Sequence, residues 1–181
     1  RSLGIKLSRK GERSSSAKAA LVRKPYGPGQ HGKNFRKFSE FGLQLKEKQK
    51  IKFSYGVTER NLKRIFAEAD KYSSESMPAD RAIVDALERR LDNVIMRLGY
   101  TEGRNLARQL VSHGHFMVND KKVKTPSYRV KVGDKISIRP GSKAIAQFQE
   151  LGEKLKKFEP PVWLKLDKGT LDGEVVGEPK D

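Results

Sequence analysis

The chain has 181 residues, no Cys, and 39 Lys and Arg against 22 Asp and Glu, a formal net charge of +17. That length allows one ordinary domain or two small ones, and the charge favours a polyanionic partner, nucleic acid ahead of an anionic membrane surface. A mean hydropathy of −0.73 and the lack of any long uncharged apolar run exclude a spanning helix, and the lack of Cys excludes disulfides and thiolate metal sites.

Residues 1–52 carry a net charge of +12, residues 53–88 −2, residues 89–141 +8 and residues 142–181 −1. A membrane-binding tail is normally one basic cluster beside an apolar anchor. Here the second basic block coincides with a patterned, foldable segment, which points to RNA or DNA. Arg1-Ser2-Leu3-Gly4-Ile5-Lys6 leads into no apolar run, so no secretory leader is read there.

Residues 1–40 are rich in Lys, Arg, Ser and Gly and too poor in large apolar residues to offset their own ordering entropy. They are expected to form a basic extension ordered by its partner, with a Pro/Gly loop at Pro25–Gly32. Phe41, Leu45, Lys48 and Lys52 recur at helical spacing. Thr58 is a suitable N-cap for a helix whose apolar stripe is Leu62, Ile65, Phe66, Ala69 and Tyr72. After a Ser-rich loop over 73–80, one helix is expected from Asp80 to Leu98, closed by Gly99. A short helix follows from Thr101, with Leu106, Ala107, Leu110 and Val111 inward and Gly114 as its stop.

Phe116-Met117-Val118 reads as a strand, Asn119-Asp120 as a tight hairpin turn, and Lys122-Val123 as the return. Tyr128, Val130 and Val132 alternate with charges as a further strand, Gly133-Asp134 turns, and Ile136 and Ile138 form the last strand. Ile145 to Phe158 is an imperfect amphipathic helix ended by Pro160-Pro161, and Val162-Trp163-Leu164 is an anchor. The remainder to Asp181 is acidic and Gly-containing, and is expected to be mobile. There is no internal repeat.

The strongest constellation lies at residues 89–123. Arg104, Arg108 and Ser112 recur at i, i+4 and i+8, where guanidinium groups one turn apart grip successive phosphates. Only Glu102 lies close enough to match them. Gln109, Ser112, His113 and Asn119 add neutral donors and acceptors for 2′-hydroxyls and base edges.

Arg89-Arg90-Leu91-Asp92-Asn93-Val94 with Arg104–Asn119 resembles the S-four (S4) RNA-binding domain. The whole chain, from about residue 4 to 176, resembles the ribosomal protein family that gives the domain its name. Lys6–Gly11, Pro28–Gly32, Phe41–Lys50, Tyr55–Arg60 and Pro161–Leu164 carry that wider likeness. The expected fold is α+β: a helical domain at 41–88 completed by 142–181, an inserted S4 domain at 89–141 (two short helices and a small antiparallel sheet), and the basic extension 1–40.

The resemblance implies a structural protein of the small ribosomal subunit, not an enzyme. It implies binding of 16S rRNA at a helix junction of the 5′ domain, nucleation of the subunit body and an influence on translational accuracy. It implies contact with ribosomal proteins S-five and S-three near the channel by which mRNA enters, on a cytoplasmic ribosome that these residues do not separate from an organellar one. Some members repress their own operon. The candidate RNA-binding side chains are Arg9, Lys10, Gln30, His31 and Lys33 in the extension, and Gln44, Lys46 and Lys50 on the first long helix. In the S4 domain they are Arg90, Arg104, Arg108, Gln109, Ser112, His113, Asn119 and Lys121.

Where some members hold zinc with a first Cys-x-x-Cys, this chain has Ile5 and Ser8, a zinc-free variant. The chain also stops short of the apolar segment with which members continue past Gly177-Glu178-Pro179.

Other readings of these residues are weaker. Gly27–Asn34 mimics a phosphate loop, but Asn34 stands where Ser or Thr is needed and Arg23-Lys24-Pro25 precedes it instead of a strand. His113-x-His115 with His31 lacks the ligands of a zinc site, so neither metal nor cofactor is expected. Lys46, Lys48, Lys50 and Lys52 read equally as RNA contacts or as a solvated face. Asp92 caps or braces neighbouring Arg side chains rather than acting in catalysis. An RNA-modifying enzyme would need a catalytic domain beyond the roughly 40 C-terminal residues. A helix-turn-helix DNA regulator fits the hairpin and basic extension less well than RNA.

Overall fold

The computed structural model describes residues 1–7, 16–34, 37–72, 78–156 and 158–179. The expected Ser-rich loop lies largely outside them, as do Arg9 and Lys10.

After a single turn, α1 (Ala20–Arg23), come two longer helices, α2 (Glu40–Tyr55) and α3 (Glu59–Tyr72). The Ser39 hydroxyl caps α2 by accepting from the Gly42 N–H, and Thr58 caps α3 by accepting from the Asn61 N–H. None of the residues of α2 is fully buried, and Phe41 and Leu45 stay exposed. Its C-terminal end contributes Ile51 and Tyr55 to a small core with Val57, Leu62, Ile65, Ala86 and Leu87. Lys48 and Lys52 of α2 both donate at 2.8 Å to Glu59 of α3. These two bonds pull the Glu59 carboxyl down to about 2 and tie the helices together.

The single helix expected over 80–98 is two, α4 (Ala79–Glu88) and α5 (Leu91–Arg97). The break follows from backbone pairing. The Leu91 N–H donates to the Tyr128 carbonyl, and the Val130 N–H donates to the Arg89 carbonyl. Arg90, pinned in this bridge to Arg129, is therefore extended rather than helical. Among the described residues that bridge is all the strand pairing formed by Tyr128–Val132, which was expected to be a strand. Gly99 closes α5 at φ +82°, with the Tyr100 N–H reaching back to the Ile95 carbonyl.

Helix α6 (Arg104–His113) ends at Gly114 and leads into β1 (Phe116–Val118), β2 (Lys121–Lys122) and β3 (Lys135–Ile138). Asn119 and Asp120 both have positive φ, the backbone of a type I′ hairpin turn. A 3-10 turn at Pro140–Ser142 is followed by α7 (Ala146–Gln149) and α8 (Leu151–Lys156), two short pieces of the expected helix. The supposedly mobile tail is a hairpin, β4 (Leu164–Asp167) and β5 (Asp172–Val175), and the antiparallel sheet order is β2-β1-β3-β5-β4.

Residues 142–181 were expected to complete the helical domain. Their apolar side chains instead pack with the S4 module. Phe148, Leu151, Leu155, Trp163, Leu164 and Val175 share one core with Leu91, Val94, Ile95, Leu98, Val111, Phe116, Ile136 and Ile138. Gly173, opposite Ile136, makes the docking possible: a Cβ there would lie 2.5 Å from Leu98 Cδ1. The α+β class stands; among the described residues the buried apolar side chains form two cores, and those of the C-terminal segment join the S4 one.

Candidate nucleic-acid interface

Helix α6 divides its residues cleanly. Ala107, Leu110 and Val111 are buried, whereas Arg108, Gln109, Ser112 and His113 are exposed on one face. The Ser112 hydroxyl donates to the Arg108 carbonyl one turn back, leaving its oxygen free to accept.

At its end this face joins the sheet. In β1 and β3, Phe116, Val118, Ile136 and Ile138 point into the core. Residues paired across strands share a face, so Lys122, Met117 and Ser137 form one row on the outer side. Lys122 lies across the end of α6: a Cβ on Gly114 would come 2.4 Å from Lys122 Cε and 3.2 Å from Lys124 Cγ. Gly114 is required by its φ of +75°.

Lys122, Lys124 and Arg139 crowd one another. Repulsion from Arg139 and then Lys124 lowers the Lys122 ammonium. Burial, together with His113, Arg139 and Lys122, lowers the His115 imidazole. Among the described residues none of Arg108, Lys121, Lys122, Lys124 and Arg139 has a carboxylate partner. Clustered cations that repel each other and lack counter-charges form a surface for an external polyanion.

Several expected contact residues lie elsewhere. Arg90 is buried and forms a bidentate pair with Asp92, at 3.1 and 2.7 Å, which is the bracing role expected of Asp92. Arg104 is also buried: its Nε donates to Asn93 Oδ1 at 2.8 Å and its guanidinium lies over the Tyr55 ring. Both are internal braces. Asn119 is tied into the hairpin, donating to Asp134 at 2.7 Å and accepting from the Lys135 N–H at 2.9 Å. Lys50 pairs with Glu47 at 2.6 Å.

In the extension Gln30, His31 and Lys33 are exposed and, with Lys46, line a groove of about 780 Å³ beside Arg1 and Phe38. Lys46 and Lys33 lie over the Phe38 and Tyr26 rings. Gln44 is exposed on α2. Lys122, Lys124 and Arg139 were missed. Their signal was present in the alternation of β2 and β3, which puts Lys122 and Ser137, and beyond them Lys124 and Arg139, opposite the apolar set. The phosphate-loop mimic closes on itself, with the Gly27 N–H donating to the Gly32 carbonyl. Among the described residues no group of three His, Asp or Glu can hold a metal, and no helix is long and apolar enough to cross a membrane.

Comparison with known proteins identifies the family. The family model described as "Ribosomal protein S4/S9 N-terminal domain" matches residues 1–88, and that described as "S4 domain" matches 89–136. The chain is 46% identical to small ribosomal subunit protein uS4 of Heliobacterium modesticaldum, over 98% of this chain and 84% of that one. It is 47% identical to the uS4 protein of Caldicellulosiruptor bescii (97% and 83% covered) and 45% identical to that of Roseiflexus castenholzii (99% and 85%).

Proposed function

The chain belongs to the uS4 family of small ribosomal subunit proteins, and from that premise we propose that it binds 16S rRNA through the outer face of α6 and β1–β3. The family is one of ribosomal structural proteins, not of enzymes. The observation that supports this interface most is the run of uncompensated cations from Arg108 to Lys122, Lys124 and Arg139 on a rigid helix and sheet. His113, Gln109 and Ser112 lie beside them as hydrogen-bonding groups suited to sugar edges. The groove lined by Gln30, His31 and Lys33 of the extension 1–40 and by Lys46 of α2 is a second contact.

Within this reading the RNA target is a helix junction of the 5′ domain, and binding there nucleates the subunit body. Ribosomal proteins S-five and S-three, the channel by which mRNA enters, and translational accuracy belong to the same proposal, on the strength of the family resemblance. A lysate sedimented at high magnesium tests it. The chain is expected to travel with the small subunit and to be released by high salt. Recovery at the top of the gradient under all conditions would reject the proposal.

A further inference from the structure

The two cores meet at a joint that is polar. Glu88, the last residue of α4, is buried at this joint, and both family models end or begin beside it. Its two carboxylate oxygens take four hydrogen bonds. Oε1 accepts from the Tyr55 hydroxyl of α2 and from Arg97 Nη2 at 2.7 Å. Oε2 accepts from Asn93 Nδ2 at 2.7 Å and Arg97 Nε at 3.0 Å. Asn93 in turn accepts from Arg104 of α6, whose guanidinium lies 4.7 Å from the Tyr55 ring centroid. The contacts form a closed ring through α2, α4, α5 and α6. A carboxylate has about four acceptor positions, so Glu88 is saturated.

We infer that Glu88 is a positioning residue for RNA recognition: its ring of contacts locks the helical unit to the S4 module, so that the groove at Lys33 and Lys46 and the face at Arg108, Lys122 and Arg139 meet one RNA as a single rigid body. The inference rests on the interface proposed above and adds how its halves are held together. Apolar burial is non-directional and sets no angle by itself. Four directed bonds to one buried carboxylate do not. A second ion pair, Arg129 to Glu68 of α3 at 2.6 Å, bridges the same two units but is exposed and correspondingly weak. Orientation therefore depends on Glu88. Two surfaces held at a fixed spacing gain effective concentration for a ligand that spans both, and gain nothing for one that reaches only one of them.

The test compares two RNAs on the full chain: a 16S rRNA 5′-domain fragment and a uridine oligonucleotide too short to reach both surfaces. Glu88→Gln keeps the shape of the side chain but turns an NH₂ group toward other donors. Tyr55→Phe removes one bond and leaves the ring under Arg104. In both variants, shown to be folded by circular dichroism, affinity for the long fragment is expected to fall by about 10-fold or more, against the roughly 10²–10⁴ that linkage can supply. Affinity for the oligonucleotide stays unchanged. A merely stabilising role would lower the melting temperature and leave the ratio of the two affinities at its wild-type value, and that result overturns the inference. Should Glu88→Gln unfold, Tyr55→Phe decides on the same criterion. Failure of the interface proposal is distinct: the wild type itself would show no preference for the 16S fragment over unrelated RNA.

Discussion

Replacing Lys122, Lys124 and Arg139 together by Ala removes three exposed cations that have no carboxylate partner among the described residues. Surface changes of this kind alter folding stability by about 0.5 kcal/mol or less, so the fold is expected to persist. If each cation neutralises one phosphate, the slope of log affinity against log salt becomes shallower by about 2–3, at about 0.7 per phosphate for single strands and 0.9 for a duplex. Salt rising from 50 to 200 mM then narrows the gap between wild type and variant by roughly 20- to 40-fold. Filter binding to a 16S rRNA 5′-domain fragment at four salt concentrations measures this directly. Replacing exposed Lys63, Lys71 and Arg81 of α3 and α4 removes the same charge from the helical unit, and is expected to leave the slope almost unchanged. Equal slopes for the sheet variant and the wild type would refute the reasoning, as would equal changes in the two triple variants.

Arg108→Ala should weaken binding to the same fragment by about 1–3 kcal/mol without changing the melting temperature, whereas Arg104→Ala should lower the melting temperature, because it takes the Arg104 donor from buried Asn93 Oδ1 and uncovers the half-buried Tyr55 ring. Reversed outcomes for the two arginines would mean that the burial assignment is wrong. Burial opposes ionisation of Glu88, but its bonds from Arg97, Tyr55 and Asn93 outweigh this and hold the carboxyl below the usual glutamate range. A group depressed on folding contributes stability that is fully present above its unfolded value, about 4.3, and is lost as the pH falls through the folded value. The stability difference between wild type and Glu88→Gln should therefore shrink below about pH 4; a difference constant from neutral to acid pH would contradict the assignment. Gly173→Ala should destabilise the fold by about 1–3 kcal/mol in urea titration, since its methyl would overlap Leu98 at the hairpin docking point.

Local chemistry was the legible part of this chain. Thr58, Gly99, Gly114 and the Asn119-Asp120 turn each act through a backbone preference that the residue carries itself, and each functions as expected. Long-range pairing was not legible. Nothing local in Arg89-Arg90 announces a helix break, because the partner that breaks it is Tyr128–Val130, about 40 residues away in the chain. The alternation of Tyr128, Val130 and Val132 is real, yet only Val130 of the three is buried, since among the described residues no neighbouring strand extends the bridge. The hairpin after Leu164 was hidden by its acidic composition; it forms because β3 offers an edge for β5.

At the site, periodicity grouped Arg104 with Arg108. The first residue of α6, however, points to the joint with α4 and α5, while the next turn faces solvent. An uncompensated charge in sequence is not the same as one in space: Arg104 meets Asn93 and Tyr55, groups that a search for nearby acids passes over.

The central claim is that the face made by α6 and β1–β3 is covered by rRNA. Acetylation of lysines in the free protein and in purified small subunits, read by mass spectrometry, tests it most directly. Lys122 and Lys124 are expected to react in the free protein and to be protected in the subunit, while Lys63 on α3 serves as the reference for the helical unit. Equal reactivity of Lys122 and Lys124 in the two states would contradict the claim.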